Sequence, residues 1–214
     1  MNCRDNGNVS LLSRFENRVQ SSLFPELSLI GYLNSITLCF PAFEGIELVS
    51  KSIDGSPADL VKATAVLSIP FEKIVEDVDG LDRDKIMERQ KDDLADWKVL
   101  KKLDEHLVLI YSAHLTPFPV SNRELLYLRN RYDLPDGRVL ICGVSINDKD
   151  IPQENGRVRA VVLACWLVAP HEKGAHVTRC IQLDPKGNIP TMLINKHKVG
   201  AAKAINGIRT ALSQ

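Results

Sequence analysis

No stretch of this 214-residue chain is long and apolar enough to suggest a membrane-spanning helix. The longest apolar run, Ala160 to Ala169, falls far short of the roughly 20 residues that crossing a bilayer requires. Residues 1–20 are polar and charged, without the apolar core of a secretory signal. Excess charge is missing too: 27 basic residues face 27 acidic ones, so the electrostatic footprint of a nucleic-acid binder is absent. Cysteine is scarce and scattered (Cys3, Cys39, Cys142, Cys165, Cys180), odd in number and without Cys-x-x-Cys spacing. That usage argues against a disulfide framework and for reduced thiols in a cytoplasmic protein. There is no Gly-x-Ser-x-Gly, no His-Glu-x-x-His and no phosphate-binding glycine loop, which leaves hydrolase, zinc-protease and nucleotidase readings unsupported. His171 and His176 lack the spacing of a helical ligand pair, and neither a metal nor a cofactor is expected. No Pro/Gly/Ser-rich linker divides the chain, so residues 1–214 are expected to form one domain around one core.

What is present is a succession of strands closed by a helix. Ser10 is placed to cap a first helix carrying Leu12, Phe15 and Val19; from Leu29 to Phe40 the chain is apolar without a clear period. Gly45 to Ile53 and Leu60 to Ser68 read as strands joined through Asp54-Gly55. Pro70 opens a helix with Phe71, Ile74, Val75 and Val78 on one face. A charged helix is expected after Gly80, with Ile86, Leu94 and Trp97 on its drier side. Six strands follow: Val99–Leu103, Leu107–Leu115, Glu124–Tyr132, Arg138–Ile146, Arg157–Val168 and His176–Leu183. Asp136-Gly137, Asn155-Gly156 and Gly174 mark reversals, so sequence neighbours should pair antiparallel. Several strands are apolar on both faces, which predicts a sheet that is covered or curled, and Gly143 fits a bend within it.

Asp184-Pro185-Lys186-Gly187-Asn188 then turns the chain into a terminal helix opened by Pro190. Leu193, Gly200, Ala204, Gly207 and Ala211 share one stripe, and Ile194, Ala201, Ile205, Ile208 and Leu212 share the next, giving a buried face that is half small and half large. The interior glycines Gly200 and Gly207 are consistent either with tight packing on the sheet or with a movable lid. After Glu172 there are seven Lys/Arg against Asp184 alone, so the helix is basic on its wet side. Such a face suits an anionic surface such as a membrane, or a solvated face balanced by acids elsewhere. The fold class is α+β: a curved antiparallel sheet gripping one long C-terminal helix, with an apolar cavity between them.

Trp97, Pro119-Val120-Ser121-Asn122-Arg123-Glu124-Leu125, Val158-Arg159-Ala160, Ala169-Pro170, Val177-Thr178 and Asp184-Pro185-x-Gly187-x-Ile189-Pro190 together resemble the START domain, the steroidogenic-acute-regulatory-related lipid-transfer domain. The resemblance runs from about Trp97 to the end and is architectural before it. It implies a helix-grip fold that holds one lipid, a phospholipid, a sterol or a related molecule, in an internal tunnel. The C-terminal helix and a loop between two strands would act as the gate. Family members often carry Arg-Asp-Phe where this chain has Arg123-Glu124-Leu125, and Trp-Asp where it has Trp97-Lys98. In sterol-binding members an arginine at the position of Arg129 pairs with an acid from the preceding strand, and Leu107 to Asn122 contains no Asp or Glu.

Arg129 shares a strand face with Leu125 and Tyr127, so it is a candidate cation at the end of an apolar wall; the alternative is a surface arginine paired with a neighbouring acid. Tyr111, Tyr127 and Trp166 line the cavity or are plain core, and Ile205 and Ile208 are the helix's contribution to the ligand-binding set. Phe118, at the tip of the loop from His114 to Asn122, either dips into the membrane interface or packs on the terminal helix; with Gly200 and Gly207 it forms the expected gate. The expectation is a non-enzymatic, monomeric lipid carrier making transient contact with membrane surfaces. The alternatives are a helix-grip enzyme of polyketide cyclase or aromatase type, for which His114 and Cys165 are the only acid or base candidates, and a lipid-sensing scaffold module.

Overall fold

The computed structural model describes residues 38–54, 56–187, 189 and 199–213. The expected first helix, Gly55, Pro190, Leu193 and Ile194 lie outside the described residues, as do Lys196 and Lys198. Strands β1 (Leu38–Phe43), β2 (Ile46–Lys51) and β3 (Leu60–Leu67) precede helices α1 (Phe71–Asp79) and α2 (Arg83–Arg89). The strands β4 (Leu94–Lys102), β5 (Val108–His114), β6 (Arg123–Asp133), β7 (Val139–Ser145), β8 (Val158–Arg159), β9 (Val161–His171) and β10 (Gly174–Asp184) follow, and α3 (Gly200–Leu212) closes the chain.

The sheet runs β1-β2-β3-β10-β9-β7-β6-β5-β4, with every pair along this path antiparallel and the two-residue β8 added parallel to β6. The meander expected from Lys98 onward is present, and β10 joins it to the N-terminal hairpins through β3. Two turns show why glycine stands where it does. Glu44 and Gly45 both have positive φ, 51° and 77°, which a two-residue hairpin whose twist matches its strands demands. Gly174 has φ 128°, and a Cβ there would run into the Leu67 carbonyl and come within 2.7 Å of the Ile69 nitrogen. No side chain fits at that reversal.

One expected element is corrected. The charged helix ends at Arg89, and Leu94 and Trp97 lie in β4 instead of on its dry face. Leu94 pairs with His114 and Asp96 with Ala113, so a bulge slips the register between them and returns Trp97 to the face of Leu94. Two apolar residues three apart on one face imitate helical spacing. The helix itself is well capped, since Asp82 accepts hydrogen bonds from the backbone N–H groups of Asp84 (3.0 Å) and Lys85 (3.1 Å).

Both faces of the sheet are apolar, as the strand patterns predict. On the inward face, Ile46, Leu48, Val61, Ala63, Val139, Ile141, Val168 and Val177 pack with Ile74 and Val75 of α1 and with Ala201, Ala202, Ile205 and Ile208 of α3. On the outer face Leu60, Leu140, Cys142, Leu163, Cys165 and Cys180 form a second buried cluster. The half-small, half-large buried face of the terminal helix is corrected as well. Gly200 and Ala211 are exposed, Ala204 and Gly207 half-buried, and a Cβ built on either glycine meets nothing within 4 Å among the described residues. The buried stripe is the one through Ala201, Ile205 and Ile208, with Ala202 beside it, so close packing does not account for the glycines.

Candidate functional site

The inward face is covered from two sides. α3 packs over β2, β3 and β10, while Leu81, Ile86 and Met87 from α2 and its approach cover Trp97, Val108 and Ile110. Between these covers runs a strip of half-buried side chains: Tyr127 on β6, Ala164 and Trp166 on β9, Arg179 and Ile181 on β10. Strand register puts them side by side. Gly143 pairs with Ala164 and Ala164 with Ile181, while Ile141 pairs with Trp166 and Trp166 with Arg179. Gly143 lets the Tyr127 ring lie close over β7: a Cβ there would stand 3.2 Å from Cδ2 of the ring, so the ring would have to give by a few tenths of an ångström. The Tyr127 hydroxyl accepts a hydrogen bond from Trp97 Nε1 (3.3 Å), and burial raises its pKa.

The structure brings Tyr127, Trp166, Ile205 and Ile208 to this inward face, where Trp166 packs against the cluster that contains both isoleucines. Arg129 is on the same face, but its charge is already matched. Its Nη2 donates to Asp79 Oδ1 (2.6 Å) and to the Val78 carbonyl (3.1 Å), so the acid comes from the end of α1 and not from the preceding strand. Arg131 reaches the other oxygen of Asp79 (3.0 Å). These groups border an open cleft of about 550 Å³ between α1 and the β6–β7 turn, lined by Phe71, Val75, Asp79, Arg131, Leu134 and Val139 among others.

Tyr111 is placed on the opposite face of the sheet from Tyr127. It pairs with Leu126, and alternation turns the two tyrosines apart. Its hydroxyl donates to Glu124 Oε2 (3.1 Å) and accepts from Arg157 Nη1 (2.5 Å), and its ring lies under Lys98 Nζ, 4.7 Å from the centroid. Burial first, then Glu124, raises the pKa of that phenol. Glu124 itself is fully buried, accepting from Arg159 Nε (2.7 Å) and the Glu154 N–H (3.3 Å). The buried Arg123 donates to the carbonyls of Pro185 (3.0 Å), Lys186 (2.9 Å) and Ser121, which ties the turn before α3 to the start of β6. Burial lowers its pKa.

Phe118 is 97% exposed, so it does not pack on the terminal helix. Its loop is held by Thr116, whose Oγ1 donates to the carbonyls of Val120 (2.8 Å) and Ser121 (2.8 Å) and whose N–H donates to Asn122 Oδ1 (3.1 Å). Leu115, 46% exposed, lies at the same end. His114, at the end of β5, bonds to Ser112 Oγ through Nε2 (2.9 Å), and Cys165 sits in the outer-face cluster, on the other side of the sheet from the strip.

Sequence reasoning passed over Arg179. The alternation Val177-x-Arg179-x-Ile181, an arginine at an inward apolar position of a strand, was the available signal.

A curved antiparallel sheet packed on a terminal helix, with a strip of half-buried side chains beside that helix, defines a helix-grip domain. The START domain model matches residues 44–214, and the chain belongs to that family. It is 28% identical over 153 residues to StAR-related lipid transfer protein 13 of Mus musculus, a match covering 69% of this chain and 13% of that protein. It is 32% identical over 100 residues to phosphatidylcholine transfer protein of Mus musculus, covering 44% of this chain and 46% of that protein. The chain thus spans less than half the length of these curated relatives. Human StAR-related lipid transfer protein 5 superposes with a TM-score of 0.80 over 96% of this chain and 98% of that one at 11% identity, which shows the shared helix-grip fold. No helix among the described residues is long and apolar enough to cross a membrane.

Proposed function

We propose that this chain encloses one lipid molecule between α3 and the inward face of its sheet and carries it between membranes. The observation that carries this reading is the half-buried strip between the covers of α2 and α3, where Tyr127 and Trp166 stand with Ile205 and Ile208 as an apolar wall. Membership in a family whose relatives are named as lipid transfer proteins supports it. Removing several hundred Å² of acyl chain from water is worth on the order of 10 kcal/mol at roughly 25 cal/mol per Å². A bilayer offers a similar gain, so a carrier lowers the cost of crossing water and needs little net preference over the membrane.

Release then requires a cheap local opening. α3 is the mobile cover: its glycines are free of close packing, and Arg123 anchors the turn that precedes it. Leu115 and Phe118 form the tip that touches the bilayer interface, an apolar end presented by a braced loop. Arg129 holds α1 against the sheet through Asp79 at the rim of the site. The protein acts in the cytoplasm as a monomer without cofactor. The enzyme reading lacks a buried acid–base pair in the strip among the described residues, since His114 and Cys165 are both placed elsewhere. Transfer of a fluorescent phospholipid from donor to acceptor vesicles tests the proposal: stoichiometric uptake and first-order delivery support it, and uptake without delivery favours a sensing module.

A further inference from the structure

The arginines buried or half-buried among the described residues have oxygen partners, with one exception. Arg123 has three carbonyls, Arg129 and Arg131 share Asp79, Arg157 reaches Glu154, and Arg159 reaches Glu124. Arg179 has none among the described residues; its guanidinium lies over the Trp166 ring, 4.7 Å from the centroid. It stands on the inward face, flanked in register by Trp166 on β9 and Ala63 on β3, both of which pack into the core under α3. Burial lowers its pKa, and among the described residues the groups that act on its charge from nearby are Tyr127 and the cysteine thiols, with no carboxylate.

A guanidinium offers five N–H donors in a planar fork, and leaving them unmatched inside a protein is costly. The ring beneath satisfies the cation's face, while the donors at its edge still require oxygen. Tyr127, whose hydroxyl accepts from Trp97, is the phenol that acts on this charge across the strip.

We propose that Arg179 is an anion-binding site inside the fold that takes the oxyanion, a phosphate or a carboxylate, of an acyl lipid. The inference rests on the lipid-binding reading and narrows it to ligands carrying an acidic group at the sheet end of the cavity. Arg129 is excluded from this role by Asp79. A neutral lipid leaves the Arg179 donors unmatched and binds more weakly for that reason alone.

The test compares wild type with Arg179→Met and Arg179→Lys as full chains, stripped of bound lipid and incubated with vesicles containing phosphatidylglycerol, oleate or diacylglycerol. Bound lipid per chain is read by native mass spectrometry. Wild type should prefer phosphatidylglycerol, oleate or both to diacylglycerol, and the preferred one identifies the source of the oxyanion. Arg179→Met should lose that preference by about tenfold or more, the size of one lost hydrogen bond to a charged group. Arg179→Lys should restore part of it, and diacylglycerol uptake should not fall in either variant. Unchanged preference in Arg179→Met overturns the inference and leaves lipid binding standing. Loss of folding in both variants also overturns it, because Arg179 is then a structural strut. Failure of wild type to take up any of the three lipids overturns the lipid-binding reading itself.

Discussion

Replacing Glu124 with alanine should be among the most damaging single changes available to this protein. Glu124 is fully buried on the outer face, where its carboxylate accepts from Arg159 Nε, from the Tyr111 hydroxyl and from the Glu154 N–H. Truncation removes the only carboxylate partner of Arg159 among the described residues, leaving that 14%-exposed side chain with the Ile151 and Pro152 carbonyls alone, and it takes the acceptor from the phenol O–H and from one backbone donor. Breaking a buried ion pair by removing one partner costs about 3–5 kcal/mol. For a chain of this size each kcal/mol moves the melting temperature by about 2–4 °C, so the expected drop is about 6–20 °C. Glu124→Gln keeps an acceptor and should lose roughly half as much. Thermal denaturation followed by circular dichroism, with urea titration as a check on cooperativity, reads both. A drop of less than about 2 °C for Glu124→Ala would refute the claim that this carboxylate ties β6 to β8 and to the loop before it.

Gly207→Ala should stabilise the protein by about 1 kcal/mol, since helix propensity improves and no atom of the described residues lies within 4 Å of the new Cβ; if α3 is the moving cover, lipid exchange slows in the same variant. Unchanged exchange kinetics would separate α3 from the opening step. Phe118→Asp should leave stability within about 0.5 kcal/mol and reduce vesicle association, measured by co-sedimentation; equal sedimentation removes the loop tip from the membrane contact. Burial pushes the Cys180 thiol from its ordinary 9.0 up to about 12 and raises Cys165 through Cys142 and burial. Neutral thiols are therefore favoured by folding, and stability should be intact below pH 9 and decline as pH rises toward 12, while iodoacetamide at pH 8 labels these cysteines only after unfolding. Rapid labelling of the folded protein would contradict their burial.

The sheet was legible because local signals agreed with one another. Asp136-Gly137 and Asn155-Gly156 marked reversals, β-branched runs marked strands, and residues apolar on both faces announced a covered sheet. β4 was misread for a local reason: the bulge at Leu94 and Asp96 restores one-sidedness at a spacing of three, and no pattern of period two survives it. The site was less legible than the fold because it depends on register. Tyr111 and Tyr127 both sit in apolar strands, and only their pairing across β5 and β6 shows that they face opposite ways. Arg129 was singled out by its place beside Tyr127, yet its partner Asp79 comes from a helix 50 residues away in sequence. Arg179 was hidden for the converse reason. Its inward position could be counted along the strand, whereas the lack of a facing acid among the described residues is a property of three strands and a helix packed together.

The central claim, that this chain holds a lipid between α3 and its sheet, is tested most directly by native mass spectrometry of the full chain after incubation with mixed phospholipid vesicles. The account predicts one lipid per chain, with Ala164→Trp, which sets a large side chain on the half-buried strip and leaves the packed core under α3 intact, losing that adduct. A protein that stays empty, or a folded Ala164→Trp variant that binds lipid as wild type does, would contradict it.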